Sequence, residues 1–137
     1  MRHSDNDLLE RAVALENEAT AFGFQWESPD QIMAQIQSEC VEINEHLTHG
    51  IAKAKQVELQ EEIGDLLHAV FSLCVFCQFS PEETLRNTLT KFERRLNAVK
   101  TIAQEQGFTT LKGYPFEELM KIWAQAKVRV KELTQNV

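Results

Sequence analysis

The sequence has no run of alternating apolar and polar residues of the kind a half-buried strand needs, and no internal repeat. Sheet architectures and solenoids are therefore set aside. Glycine is scarce, five in 137 residues, and no glycine-rich phosphate loop is present. If this chain handles phosphates, metal ions and Lys or Arg must hold them. The longest apolar run, Ala69 to Val75 and on to Phe79, is broken by Ser72 and Gln78 and is too short for a membrane span. A signal-peptide pattern is missing at the N-terminus, where Asp5 and Asp7 come early. Positive charge is in the minority: 14 Lys and Arg against 21 Asp and Glu, for a net charge of −7 with no basic block. Bulk attraction to nucleic acid or to an anionic membrane is excluded on that balance. The expectation is a soluble cytoplasmic protein, large enough for its own core.

Cysteine is also sparse, and three cannot form a complete disulfide set. Cys74 and Cys77 form a C-x-x-C inside a strongly apolar segment, without further ligands or electropositive neighbours. They and Cys40 read as packing thiols. No nucleophile–base pair stands in a known context. Asp65-x-x-His68 is a lone Glu-x-x-His-like match, and His46 and His49 add only an i,i+3 pair, far short of a di-iron template.

What is present is helical punctuation. Ser4 can cap a first helix that ends near Gly23. Phe22, Phe24 and Trp26 cluster around the following loop, either as core packing or as a base-stacking wall. Ser28-Pro29 opens a second helix, stopped by Gly50. A third runs from about Lys53 to Phe79. Its half from Ala69 to Cys77 is apolar nearly all round and needs cover on every side, so a second subunit is expected. Ser80-Pro81-Glu82-Glu83 opens a fourth helix that ends at Gly107, and a fifth starts near Pro115. The expected fold is all-α: a four-helix bundle over residues 24–137 with an extra N-terminal helix over residues 1–23.

Two acidic pairs lie on the second and third helices, Glu39/Glu42 and Glu62/Asp65. Each has i,i+3 spacing, which places both side chains on one helix face. At about 100° per residue, Ile32, Ile36, Ile43 and Leu47 form one stripe, and Glu39 falls at roughly −20°, inside it. On the third helix Leu59, Ile63, Leu66, Val70 and Cys77 form the stripe, with Glu62 at its edge. Antiparallel pairing would bring the acidic pairs together. A solvated charged face is the usual reading of such Glu runs. It fits Glu39 poorly, because a carboxylate on a core stripe costs several kcal/mol unless paired or metal-bound. Two carboxylates about 6 Å apart also repel by roughly 3 kcal/mol. Between Glu39 and Asp65 the only Lys or Arg residues are Lys53 and Lys55. A divalent ion would supply the missing charge, and all-oxygen ligands favour Mg²⁺ or Mn²⁺. Lys91 and Arg95, i,i+4 on the fourth helix, flank its apolar stripe, and Arg94 is read as pointing away. Taken alone, these and Lys127 are ordinary solvated charges.

These residues resemble a family. Glu39-x-x-Glu42, a spacer and Glu61-Glu62-x-x-Asp65 are similar to the acidic motifs of MazG-type nucleoside triphosphate pyrophosphohydrolases. That all-α superfamily includes dimeric dUTPases and phosphoribosyl-ATP pyrophosphohydrolase. Lys91-Phe92-Glu93-Arg94-Arg95 resembles the family's Lys-x-x-Arg-Arg element, and Trp123 to Lys127 its Trp-x-x-x-Lys helix. The likeness spans about Phe24 to Lys131. It implies Glu39, Glu42, Glu62 and Asp65 as catalytic Mg²⁺ ligands, with Mn²⁺ as a substitute. It implies Lys91 and Arg95 on the phosphates, Lys127 assisting, and Trp26 and Trp123 bordering the nucleotide. Ser38 stands where the family's first motif usually opens with an additional acid. The implied activity is hydrolysis of a nucleoside triphosphate to monophosphate and pyrophosphate by a homodimer or tetramer, with no nucleic-acid or membrane partner. Two other readings stand beside it. One is a non-catalytic module that senses nucleotides or binds a partner. The other is a relative acting on phosphoribosyl-ATP or a non-nucleotide phosphoanhydride.

Overall fold

The structure, a computed structural model, describes residues 7–49 and 55–135. Five helices follow one another: α1 Leu8–Phe22, α2 Pro29–Thr48, α3 Gln56–Phe76, α4 Pro81–Glu105 and α5 Phe116–Gln135. Among the described residues there is no strand, and the fold is all-α. The expected cap at Ser4, stop at Gly50 and helix start at Lys53 lie outside the described residues. No single helix among those described is long and apolar enough to cross a membrane.

Local chemistry accounts for the helix starts. Pro29 takes the first position of α2 after an extended Ser28, where a missing N–H is no loss. Ser80 Oγ accepts the Glu83 N–H at 3.1 Å. Glu82 and Glu83 lie in the first turn of α4, near the positive end of its dipole.

Three helices stop in the same way. Gly23, Gln78 and Gly107 have φ of 98°, 66° and 87°. In each case the N–H of that residue and of the next reach back into the last turn, to Thr20 and Ala19, to Val75 and Cys74, and to Gln104 and Ala103. These pairs are Schellman stops. The sequence carried α3 on to Phe79, but the helix ends at Phe76. A glutamine occupies the left-handed position there, so no glycine marks the stop.

The chain divides into two compact units, Met1–Thr84 and Leu85–Val137. In the first, α3 packs on both α2 and α1, and Ile32, Leu59 and Ala69 are buried. Oε1 of Glu16 on α1 accepts from His68 Nε2 at 2.8 Å and from Ser72 Oγ at 2.6 Å, both on α3. In the second unit Ile102, Ile122 and Ala126 form the core, with Leu111 and Tyr114 of the connecting loop packed against it. Arg129 forks onto both carboxylate oxygens of Glu105 at 3.0 and 3.1 Å. The units differ in charge. The first carries 16 acidic against 4 basic residues, the second 5 against 10.

Several packing expectations need correction. Leu47, Ile63 and Val70 are 52, 43 and 40% exposed, and Ala69 and Ser72 take buried places on α3 instead. Cys40 and Cys77 are exposed and only Cys74 is partly covered. For Ile63 and Val70 the reason is that α1 and α2 cover only part of the perimeter of α3. Phe22 and Phe24 are 90 and 82% exposed, on either side of Gly23 at the helix end, so they are not core residues.

Two outcomes follow for stability. Gln78→Gly removes a side chain from a left-handed residue and should raise the denaturant midpoint, by on the order of 0.5–1 kcal/mol net of the added chain entropy. Ile102→Ala, at a position 1% exposed, should cost about 2–5 kcal/mol in the same unfolding measurement.

Candidate functional site

The candidate residues divide between the two units. Glu39, Glu42, Glu62, Asp65 and Trp26 belong to the first, and Lys91, Arg95, Trp123 and Lys127 to the second.

In the first unit, helical phase places Glu39 against the core, and its side chain is 7% exposed. Gln35, one turn earlier on α2, donates through Nε2 to Glu39 Oε1 at 2.8 Å. Oε2 of Glu39 is buried with no partner among the described residues. Glu62 on α3 repeats the arrangement. His46 of α2 donates through Nε2 to its Oε1 at 3.2 Å, with both side chains 21% exposed. Oε2 of Glu62 is again buried and without a partner. Glu42 and Asp65 are exposed, as are Ser38, Glu45 and Glu61. Among the described residues no three His, Cys, Asp or Glu side chains gather as a metal-ligand set. The donors fit a hard cation in kind. Two buried carboxylate oxygens from two packed helices have no proton donor among the described residues, and such oxygens are what Mg²⁺ and Mn²⁺ take.

His46 was weighed in the sequence only against a di-iron pattern. The signal for its present contact was available. It lies seven residues after Glu39, and about 700° of helical rotation returns it to the same face. Gln35, at i−4 from Glu39, carried the same kind of signal.

The second unit holds an open groove of about 910 Å³. Arg86, Lys91, Arg94, Arg95, Lys127 and Lys131 line it, and among the described residues no acidic side chain does. The expected phosphate contacts Lys91, Arg95 and Lys127 therefore share one surface. Arg94, read as pointing away, lines the same groove, since residues three and four apart share a helix face. Arg95 also lies over Trp123, its Cζ 5.7 Å from the ring centroid, within cation–π range. Phe92 supports the same indole at 6.0 Å between centroids. Nε of Arg95 is buried without a partner among the described residues. Trp26 and Trp123 are both half-buried.

A buried carboxylate oxygen without a donor lowers stability by about 1–3 kcal/mol. Glu39→Met, similar in volume and apolar, should therefore raise stability by about that amount in EDTA. Thermal or urea unfolding would check it, and a fall in stability would show that Glu39 is compensated in some other way.

With this geometry in view, residues 27–100 match the MazG nucleotide pyrophosphohydrolase domain. The chain is 32% identical over 119 residues to the nucleoside triphosphate pyrophosphohydrolase/pyrophosphatase MazG of Thermotoga maritima, covering 87% of this chain and 44% of that protein. It is 28% identical, over the same shares, to the nucleoside triphosphate pyrophosphohydrolase of Escherichia coli K12. It is 36% identical over 69 residues to the uncharacterized protein YabN of Bacillus subtilis, half of this chain and 14% of that protein. The chain thus spans less than half the length of these relatives.

Proposed function

The chain belongs to the MazG nucleotide pyrophosphohydrolase domain family, and from that premise we propose that it hydrolyses a nucleoside triphosphate to the monophosphate and pyrophosphate with a divalent cation, Mg²⁺ or Mn²⁺. The observation that carries the reading is the pair of buried oxygens on Glu39 and Glu62 that have no partner among the described residues. Burying carboxylates without donors makes sense where a cation completes them. Glu39, Glu42, Glu62 and Asp65 are the residues that would hold it. Bound there, such an ion would act as a Lewis acid, lowering the pKa of a bound water and stabilising charge that builds on phosphorus.

The chain's own side chains account for the remaining tasks. Lys91, Arg95 and Lys127 supply donors to phosphate oxygens and to the leaving pyrophosphate. Arg94 lines the same groove and adds to its positive field. Trp123, which touches Phe92 and Arg95 of α4, is the aromatic candidate for the base in the second unit, and Trp26 is the second aromatic candidate. Glu45 or Glu61 takes the place of an acid at Ser38 in orienting the attacking water.

Assembly as a homodimer or tetramer is part of the proposal. It is supported by the bare apolar surface of α3, where Leu67 is 55% exposed beside Ile63 and Val70. The proposed place of action is the cytoplasm, where the substrate pool lies. A second reading, a nucleotide-sensing or partner-binding module without turnover, is favoured by one observation: no three metal-capable side chains gather among the described residues.

A product assay tests the proposal. The protein is incubated with NTPs and dNTPs in Mg²⁺ or EDTA, and the nucleotides are separated. Monophosphate and pyrophosphate should form only with metal. Diphosphate and orthophosphate would overturn the reaction, and nucleotide binding without product would favour the module. Phosphoribosyl-ATP belongs in the panel as the related alternative. Glu39→Gln and Asp65→Asn should each lower turnover at least about tenfold. Lys91→Ala and Lys127→Ala should lower kcat/KM by about tenfold, the value of a charge-assisted hydrogen bond. Full activity in Glu39→Gln or Asp65→Asn would show that the site is elsewhere.

A further inference from the structure

We infer that Gln35 and His46 are positioning residues that decide which oxygen of Glu39 and of Glu62 is presented to a divalent cation. The inference rests on the metal reading above and concerns side chains which that reading does not use.

The two carboxylates are arranged alike in one respect. Each has Oε1 taken by a nitrogen donor, Gln35 Nε2 at 2.8 Å and His46 Nε2 at 3.2 Å. Each has Oε2 buried without a partner among the described residues. A carboxylate has lone pairs on both oxygens and accepts several bonds. If the two donors served only to make burial tolerable, satisfying one oxygen and orphaning the other would be a poor solution, and it occurs twice. As an orienting device the pattern makes sense. A donor fixed on Oε1 sets the torsion of the carboxylate and occupies the oxygen that bidentate chelation would need. Each ligand then offers a single oxygen.

The two positioning contacts differ in reach. Gln35 acts within α2, one turn before its ligand. It is an amide, so it orients the carboxylate without adding a positive charge that would compete with a cation. His46 acts from α2 onto α3. It therefore ties the orientation of a ligand on one helix to the helix that carries the other ligand. Hydrogen-bond partners of metal ligands typically change metal affinity by 10–100-fold when removed.

The test is Mn²⁺ binding to the whole chain without nucleotide, by calorimetry and by the electron paramagnetic resonance of free Mn²⁺. Circular dichroism and thermal unfolding in EDTA accompany it. Gln35→Met and His46→Leu should each weaken Mn²⁺ binding by about tenfold or more. His46→Gln, which keeps a donor, should bind as the parent does. Gln35 is exposed, so Gln35→Met keeps the test open if His46→Leu does not fold. Unchanged Mn²⁺ affinity in Gln35→Met and His46→Leu, with only a lower melting temperature, would overturn the inference and leave the metal reading standing. Mn²⁺ binding that is indifferent to Glu39→Gln and Glu62→Gln would overturn the metal reading, and this inference with it.

Discussion

A carboxylate can lie against hydrocarbon only if something replaces the water it has lost. Glu39 has half of that replacement, a single amide donor on one oxygen. The rest of the first unit is arranged around this condition. Ile32 of α2 and Leu59 of α3 are buried where the two helices pack, and the same helical phase turns Glu39 inward. Moving Glu39 to the surface would rotate α2 and expose Ile32. The core and the acidic residue therefore cannot be adjusted independently, and a second half-satisfied carboxylate, Glu62, lies on the facing helix.

The chain lacks the backbone devices with which many folds hold phosphates. No glycine-rich loop opens a helix here, and α4 begins with a proline and two glutamates. On the proposed reading, the groove of the second unit would meet this need with side chains instead. Long basic residues on α4 and α5 converge on one surface. Such a groove is adaptable in reach, since each cation sits on a flexible stem. The stacking of Arg95 on Trp123 restrains at least one of them.

Much of this was legible in the sequence because it depends on period and punctuation. The phase that put Glu39 among Ile32, Ile36 and Ile43 needs only the helical repeat, and the burial of Glu39 agrees with it. Pro29, Ser80-Pro81, Gly23 and Gly107 announced their helix boundaries by composition. Gln78 did not, because a left-handed glutamine is fixed by the chain around it and not by its own preference. The bare Cys40, Cys77 and Phe24 were hidden for another reason: apolar pattern says which residues want cover, not whether neighbours reach them. Arg94 was misplaced by treating the edge of a stripe as a sharp boundary, although side chains of its length sweep well past it. His46 was visible by phase, but its partner depended on how α2 and α3 meet, which no single helix records.

The opposite charge of the two units has a kinetic consequence. A polyanion approaching a molecule of net charge −7 is not repelled uniformly, because at physiological salt it senses charge only within about 8 Å. On the proposed reading, the acid-rich first unit repels it until a cation is bound there, and the basic groove of the second unit attracts it. Encounter is thereby biased toward the groove before any specific contact forms, and ionic strength would act on capture more than on residence. On the proposed reaction the same asymmetry works in reverse at the end. Cleavage divides one highly charged ligand into two with fewer charges each, and the surface that drew the substrate in holds each fragment less firmly. Product departure would then need no moving lid, only the separation of charge that the reaction itself produces.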